Sequence, residues 1–278
     1  MTTIVLIPAY NEARTLREVV RGALLHADAV LVVDDGSTDG SAQALCSTAV
    51  QVLTHAQNEG KSASLVDGFV RALACGATRV VTMDADGQHA AADIPRLLRA
   101  ADVHPGSIVI GARVRRRAAA PHARRIANRL ADFGVSWAAG YRVVDSQSGQ
   151  RVYPASLLRA LDLGRLSRDG FTLESEIIVA AARIGCRAIG VPIDAVYAAA
   201  ARKSYFRPVP HIAGISTMLA RNVIGDGFRL RGLWASLCMP PTMFDDAARR
   251  TDAPAPRPAS VPQPGVRDFD ALQGAQEP

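Results

Sequence analysis

Short apolar runs alternate with helical spacings through the first hundred residues. Ile4-Val5-Leu6-Ile7 is continuous and β-branched, the pattern of a strand buried on both faces. From Glu12 onward, Leu16, Val19, Val20, Ala23 and Leu24 recur at helical spacing. Ala29 to Val33, Val50 to Leu53 and Arg79 to Met83 predict three more strands, with helices over Ala42 to Leu45 and Lys61 to about Ala74 between them. The βαβαβαβ order implies a mostly parallel sheet with helices on both faces. Ligands of such sheets sit beyond the carboxyl ends of the strands. The polar clusters lie at those ends: Pro8 to Glu12, Asp34 to Asp39, Asn58 to Ser62, and Asp84 to His89.

The second half is less regular. Ser107 to Gly111 predicts a strand, Ala123 to Ala139 and Phe171 to Ile184 helices, and Arg187 to Ile193 a further strand. Between Phe206 and Phe244, Ile212, Ile215, Met218 and Leu219 mix with Arg221, Arg229 and Arg231 ahead of Leu233-Trp234. A basic amphipathic helix with a tryptophan suits a membrane surface, and a core-packing helix is the competing reading. Past Asp245 lie six of the sixteen prolines and a single aromatic residue, Phe269. Disorder is the expectation there.

Composition narrows the class. With 278 residues, 49% hydrophobic and 21% charged, the chain has ample material for a water-soluble core. No apolar run is long enough for a membrane helix; Gly232 to Phe244 is too short and holds Pro240 and Pro241. The start, Met1-Thr2-Thr3, has no basic leader segment. Cys46, Cys75, Cys186 and Cys238 are scattered without zinc or redox spacing, which fits reduced thiols and a cytoplasmic protein. The net charge of +6 is concentrated: Arg113, Arg115, Arg116, Arg117, Arg124, Arg125 and Arg129 fall in one stretch. That patch suits phosphates, acidic lipid headgroups or nucleic acid, against the plainer reading of a solvated basic loop.

Two phosphate motifs fail. The turn after the first strand, Pro8-Ala9-Tyr10-Asn11-Glu12, has no glycine for a dinucleotide fingerprint, and Gly60-Lys61-Ser62 has His55 where a P-loop needs its first glycine. Asp84-Ala85-Asp86 says more. Residues i and i+2 of a strand point to one side, and two such close carboxylates repel unless a cation or a proton compensates. Mg²⁺ or Mn²⁺ takes few protein carboxylates and fills its shell with phosphate oxygens and water, an arrangement suited to a nucleotide diphosphate. A solvated turn is the plainer reading of the pair. Asp93 before Ile94-Pro95 is read as a helix N-cap.

Taken together, Ile4 and Pro8-Ala9-Tyr10-Asn11-Glu12, then Val33-Asp34-Asp35-Gly36-Ser37-Thr38-Asp39, Asn58-Glu59-Gly60-Lys61 and Met83-Asp84-Ala85-Asp86-Gly87-Gln88-His89, resemble the family 2 glycosyltransferases of GT-A fold. Within that family the chain is most similar to dolichyl- and polyprenyl-phosphate sugar synthases. The resemblance is strongest over residues 3 to 113, continues through Asp145-Ser146-Gln147-Ser148-Gly149-Gln150-Arg151-Val152-Tyr153 and Phe171 to Tyr197, and fades after about residue 210. It implies a Rossmann-like catalytic domain over 1–210, an extension over 211–244 that could lie near a membrane, and a disordered tail over 245–278. The implied reaction is inverting transfer of a sugar from a nucleotide diphosphate-sugar to a lipid-linked acceptor, foremost a polyprenyl phosphate. Peripheral contact with the inner face of a membrane is expected, and no nucleic acid partner.

The resemblance also distributes roles. Pro8, Tyr10 and Glu12 line the nucleotide pocket, with Asp34 or Asp35 reaching the base or ribose. Asp39 is set aside as a helix cap. Lys61 approaches the nucleotide, unless it is a solvated lysine at a helix start. Asp84 faces the sugar-nucleotide and Asp86 the metal, with Gln88 beside it and His89 capping the loop or assisting. A phosphate monoester is mostly dianionic at neutral pH, because its second pKa is near ~6, so it needs cations that hold it in line with the anomeric carbon. Arg113 and Arg125 are the candidates, joined by Arg202, Lys203 and Arg207. A hydroxyl acceptor would need a base, for which Asp145 is the choice; with a phosphate acceptor Asp145 would orient an arginine or a metal-side group. Glu174 and Glu176 share a helix with Ile177, Ile178 and Val179; a helix-face carboxylate is the default reading, with Glu176 the candidate to reach the site. Three rivals differ in class. A haloacid-dehalogenase-like phosphatase would use Asp84 and Asp86, but Gln88 stands where its loop has threonine and the motif follows the fourth strand, not the first. A sugar-1-phosphate nucleotidyltransferase would open with a glycine-rich loop, and a non-catalytic binder would give the acidic pair no purpose.

Overall fold

The computed structural model describes residues 1–45, 48, 50–114, 122–168, 172–194 and 230–245. Among them, one sheet holds β1 (Thr3–Ala9), β2 (Ala29–Asp34), β3 (Gln51–Thr54), β4 (Arg79–Thr82), β5 (Ile108–Ala112), β6 (Arg151–Pro154) and β7 (Ala188–Pro192). The order is β3-β2-β1-β4-β6-β5-β7. Every neighbouring pair is parallel except the two made by β6, which runs antiparallel to β4 and β5. The helices are α1 (Leu16–Leu24), α2 (Lys61–Ala74), α3 (Ile94–Val103), α4 (His122–Ala139), α5 (Ala155–Ala160), α6 (Leu173–Arg183) and α7 (Leu230–Cys238).

This is the mostly parallel α/β sheet that the alternation implies, with two local differences. The helix expected over Ala42 to Leu45 is a single 3-10 turn, Gln43–Leu45. β6 belongs to none of the expected elements. Its four residues follow a polar stretch, and the slot between β4 and β5 makes them a strand by supplying partners on both sides.

Successive strand residues feed opposite faces. Ile4 and Leu6 of β1, Leu31 and Val33 of β2 and Val80 of β4 join one core with α2, α5 and α6. Val5, Ile7, Val30, Val32 and Val81 join the other with α1 and α3. Burying each such side chain contributes about 1.5–3 kcal/mol, so both helix layers are tied to the same strands. Gly68 lets α2 lie close against β1, because a Cβ there would collide with Leu6. That approach carries the start of α2, with Lys61, over the carboxyl end of the sheet.

From β1 the strand order runs through β2 to β3 on one side and turns to β4 on the other, which makes the β1–β4 crevice the expected binding position. The β1–β4 pairing ends at Leu6 and Thr82, two residues before Pro8, whose ring nitrogen has no hydrogen to extend it.

The chain divides into units Met1–Phe244 and Asp245–Pro278, and of the second only Asp245 is described. The end of the expected extension is built into the first unit. Gly232 of α7 lies so close to α4 that a Cβ would strike the Trp137 carbonyl, and the Arg142 guanidinium donates to the Ser236 carbonyl. Beyond α7, the Gly190 N–H donates to the Thr242 carbonyl and the Phe244 N–H to the Gly190 carbonyl. Residues 211–229 lie outside the described residues.

Candidate active site

The loops after β1 and β2 are laced together. The Asn11 N–H donates to Ser37 Oγ (2.9 Å), the Thr38 N–H to Asn11 Oδ1 (2.8 Å), the Glu12 N–H to Ser41 Oγ (2.8 Å) and the Ala13 N–H to Asp39 Oδ2 (3.1 Å). Asn11 takes φ 55°, a left-handed conformation asparagine tolerates better than most residues. Asp39 therefore staples two loops. Burial opposes its charge, but the hydrogen bonds from Ser41 and Ala13 prevail and hold its carboxyl below the usual range. This lacing presents Tyr10 and Glu12, both half-buried, at the β1 end of the crevice, beside buried Pro8.

The neighbouring acids part company. Asp34 Oδ1 accepts the Ser37 N–H (3.2 Å). Asp35 is 3% exposed: Oδ1 accepts the Glu59 N–H (2.9 Å) and lies 2.8 Å from His55 Nδ1, and Oδ2 accepts the Gly60 N–H (2.8 Å). A carboxylate so occupied braces the Asn58–Gly60 turn. Asp34 is equally buried at 2% exposure, so either acid of the pair stays the candidate for base or ribose.

Across the crevice, Asp84 leaves the end of β4 into a cage. Lys61 Nζ lies 2.6 Å from Asp84 Oδ1 and 2.9 Å from Glu174 Oε1, and His89 Nε2 lies 3.4 Å from Asp84 Oδ2. Burial alone would raise the Asp84 pKa, but the Lys61 ammonium and His89 outweigh it and hold the carboxyl well below the usual range. Burial likewise works against the Lys61 charge, and the carboxylates of Asp84 and Glu174 reverse it, raising the ammonium above its ordinary value. Lys61 is thus a half-buried bridge between two carboxylates, not a solvated lysine. Glu174 sits in the first turn of α6, where a helix favours negative charge. It reaches the site in place of Glu176, whose Oε2 accepts the Ser167 N–H (2.9 Å) instead.

Asp86 is exposed and differently placed. Burial of its surroundings and the charge of Asp84 raise its pKa, opposed by the Gln88 N–H, which donates to Asp86 Oδ1 (3.0 Å). Gln88 meets Asp86 here through its backbone. One carboxylate of the pair is neutralised from within the protein, and the other gains stability from any cation brought beside it. The oxygen donors fit a hard divalent ion that leaves most of its shell to phosphate and water. Thr15 Oγ1 donates to the Ala85 carbonyl (2.8 Å), fixing the loop between the acids to the start of α1.

The third wall is the 145–150 loop. Asp132 on α4 accepts the Asp145 and Ser146 N–H groups and the Ser146 hydroxyl. Arg151, fully buried, donates to the carbonyls of Ser146, Ser148 and Glu174, tying this loop to α6. Gly149 packs against Asp84: a Cβ there would lie 2.5 Å from Oδ1, 2.6 Å from Cγ and nearer still to Oδ2. Asp145, 3% exposed, accepts the Arg113 N–H and grips its guanidinium by Nε–Oδ2 and Nη2–Oδ1 contacts of 2.8 Å each. With both oxygens engaged by Arg113, Asp145 stands in the arginine-orienting arrangement, the alternative to a general-base role. Arg125 is half-buried on α4, while Arg202, Lys203 and Arg207 lie outside the described residues. Glu174, Gly149, Arg151 and Asp132 were missing from the site candidates; Glu174, Gly149 and Arg151 fall within segments that carry the resemblance, and Asp132 does not.

Known proteins share the sequence and the fold of this chain. The profile of the family described as Glycosyl transferase family 2 matches residues 4–159. An undecaprenyl-phosphate mannosyltransferase of Micrococcus luteus is 32% identical over 212 residues, covering 70% of this chain and 84% of its own. A polyprenol monophosphomannose synthase of Mycolicibacterium smegmatis is 33% identical over 205 residues, covering 69% and 76%. The glucosyl-3-phosphoglycerate synthase of Mycobacterium tuberculosis, solved with Mn²⁺, uridine-diphosphate-glucose and phosphoglyceric acid, superposes with a TM-score of 0.60 at 20% identity, covering 81% of this chain and 79% of that one. The fold is of GT-A type. The phosphatase alternative gains no support, since the acidic pair falls inside the matched residues.

Proposed function

The chain belongs to glycosyl transferase family 2, and on that premise we propose that it transfers a sugar from a nucleotide diphosphate-sugar to a polyprenyl phosphate, inverting the anomeric carbon. The observation that carries this reading is the division of labour in the acidic pair, with Asp84 caged by Lys61 and His89 and Asp86 exposed with a raised proton affinity. Asp86, with Gln88 beside it, would hold Mg²⁺ or Mn²⁺, which when bound neutralises charge developing on the leaving diphosphate.

The protein's own groups do the positioning. Pro8, Tyr10 and Glu12, with Asp34 or Asp35, line the nucleotide side, and Asp84, fixed by Lys61 and Gly149, faces the sugar. An oxygen of the acceptor phosphate forms the new bond to the anomeric carbon as the bond to the diphosphate breaks, and the nucleoside diphosphate departs. The acceptor is already a dianion at neutral pH because its second pKa is near ~6, so no base is called for. That agrees with an Asp145 committed to orienting Arg113. Arg113, Arg125, Arg202, Lys203 and Arg207 are proposed as the cations around the acceptor phosphate. The names of the two bacterial relatives favour a polyprenyl carrier.

The acceptor's lipid would be met at a membrane surface. No helix among the described residues is long and apolar enough to cross a membrane. Ile126 and Leu130 of α4 and Leu230, Trp234 (61%) and Leu237 of α7 are exposed on two helices that pack together, with Arg129 exposed beside them. Apolar side chains flanked by arginine suit peripheral attachment to an anionic bilayer.

The test incubates the protein with uridine and guanosine diphosphate-sugars, Mg²⁺ or Mn²⁺, and either undecaprenyl phosphate or undecaprenol, measuring nucleoside diphosphate and glycolipid formed. Turnover confined to the phosphate lipid, and lost in Asp86→Ala, is expected. Equal turnover with the free alcohol would defeat the phosphate-acceptor reading.

A further inference from the structure

A second cluster of ligating side chains lies where β3 ends and α2 runs. His55, Glu59 and Asp67 each offer one ligand atom, all within 4.8 Å of one another. Asp35 stands behind the imidazole with Oδ1 2.8 Å from Nδ1. A carboxylate there favours the Nδ1–H tautomer, which turns the lone pair of Nε2 toward the cluster. Nε2 is buried without a hydrogen-bond partner, and Asp67 Oδ2 lies 3.4 Å away.

That separation leaves room for an ion between the two atoms. Two ligand atoms each about 2.1 Å from a tetrahedral ion stand about 3.4 Å apart. A carboxylate behind a metal-binding imidazole is the usual device for fixing its tautomer and ring orientation. Arg168 meanwhile supplies positive charge to the same acids: its Nη1 lies 3.0 Å from Asp67 Oδ1, and its Nη2 lies 2.5 Å from Asp67 Oδ2 and 3.6 Å from Glu59 Oε2. Its side chain is exposed and can swing into water.

We propose that His55 Nε2, Glu59 and Asp67 form a binding site for a divalent transition ion of zinc type, oriented by Asp35 and gated by Arg168. The mixed imidazole and carboxylate set suits Zn²⁺ better than Mg²⁺. Bound there, the ion would join the end of β3 to α2. Through Asp35, which also accepts the Glu59 and Gly60 N–H groups, it would stiffen the turn that delivers Lys61. The site is separate from Asp86 and stands whether or not the proposed reaction does.

Equilibrium dialysis of the full chain against Zn²⁺ tests it, in an Asp86→Ala background so that an ion at the acidic pair is not counted. One Zn²⁺ per chain is expected. His55→Gln and Asp67→Asn should each weaken it more than about tenfold, and Asp35→Asn by about tenfold, as loss of an orienting partner does. Arg168→Gln should tighten binding while its circular dichroism stays native. Zn²⁺ affinity unchanged in His55→Gln, with native circular dichroism, or weakened in Arg168→Gln, would overturn the site.

Discussion

Replacing Gly149 by alanine places a methyl group where the Asp84 carboxylate now lies. The added carbon would start 2.5 Å from Oδ1 and 2.6 Å from Cγ, whereas non-bonded heavy atoms settle about 3.5 Å apart. Asp84 must retreat by about 1 Å, and its 2.6 Å contact with Lys61 Nζ stretches with it. Gly149 is not in the left-handed region, so the backbone accepts alanine. Overpacking of this kind costs about 1–3 kcal/mol, within the stability of an ordinary domain, so the protein should still fold. A misplacement of about 1 Å at the reacting centre lowers turnover on the order of a hundredfold, or about 2.7 kcal/mol of barrier. Steady-state release of nucleoside diphosphate, with urea unfolding alongside, measures both effects. A Gly149→Ala protein that keeps its turnover within twofold of the parent would refute the placement of Asp84 at the sugar.

Two further predictions rest on the same acids. Lys61→Met strands Asp84 and Glu174 without their shared ammonium and should cost about 3 kcal/mol of unfolding free energy at neutral pH. The depressed Asp84 pKa stabilises the fold above the unfolded value near ~3.9, while the raised Lys61 pKa stabilises it below ~10.4. The difference between wild type and Lys61→Met should therefore stay level from about pH 5 to 9 and shrink as acid carries Asp84 toward its folded pKa. A gap that widens in acid would contradict the cage. At Asp86 the pKa is raised, so protons compete with the ion: Mn²⁺ affinity, read by paramagnetic resonance, should climb with pH and level off once Asp86 is ionised. Affinity independent of pH between about 4 and 7 would remove Asp86 as the ligand.

Much of the fold was legible because its first half is built from local units. Hydrophobic spacing marks β1 to β4 with α1 and α2, and turn-forming polar residues fall at strand ends, where a parallel sheet places its ligands. The pairing of Asp84 with Asp86, and Lys61 as the first residue of α2, could be read the same way. Tertiary structure decided the remainder. Residues two apart on a helix diverge by about 200°, so Glu174 and Glu176 cannot serve one site, and only the packing of α6 says which turns toward Lys61. Asp34 and Asp35 are alike as letters, yet the Asn58–Gly60 turn folds back onto Asp35 alone. β6 becomes a strand because β4 and β5 leave it a slot, and Gly149 is required because a carboxylate from 65 positions earlier lies against it. Periodicity along the chain governs what a residue does to its near neighbours. Roles that arise between distant segments exist only once the sheet has brought those segments within hydrogen-bonding reach.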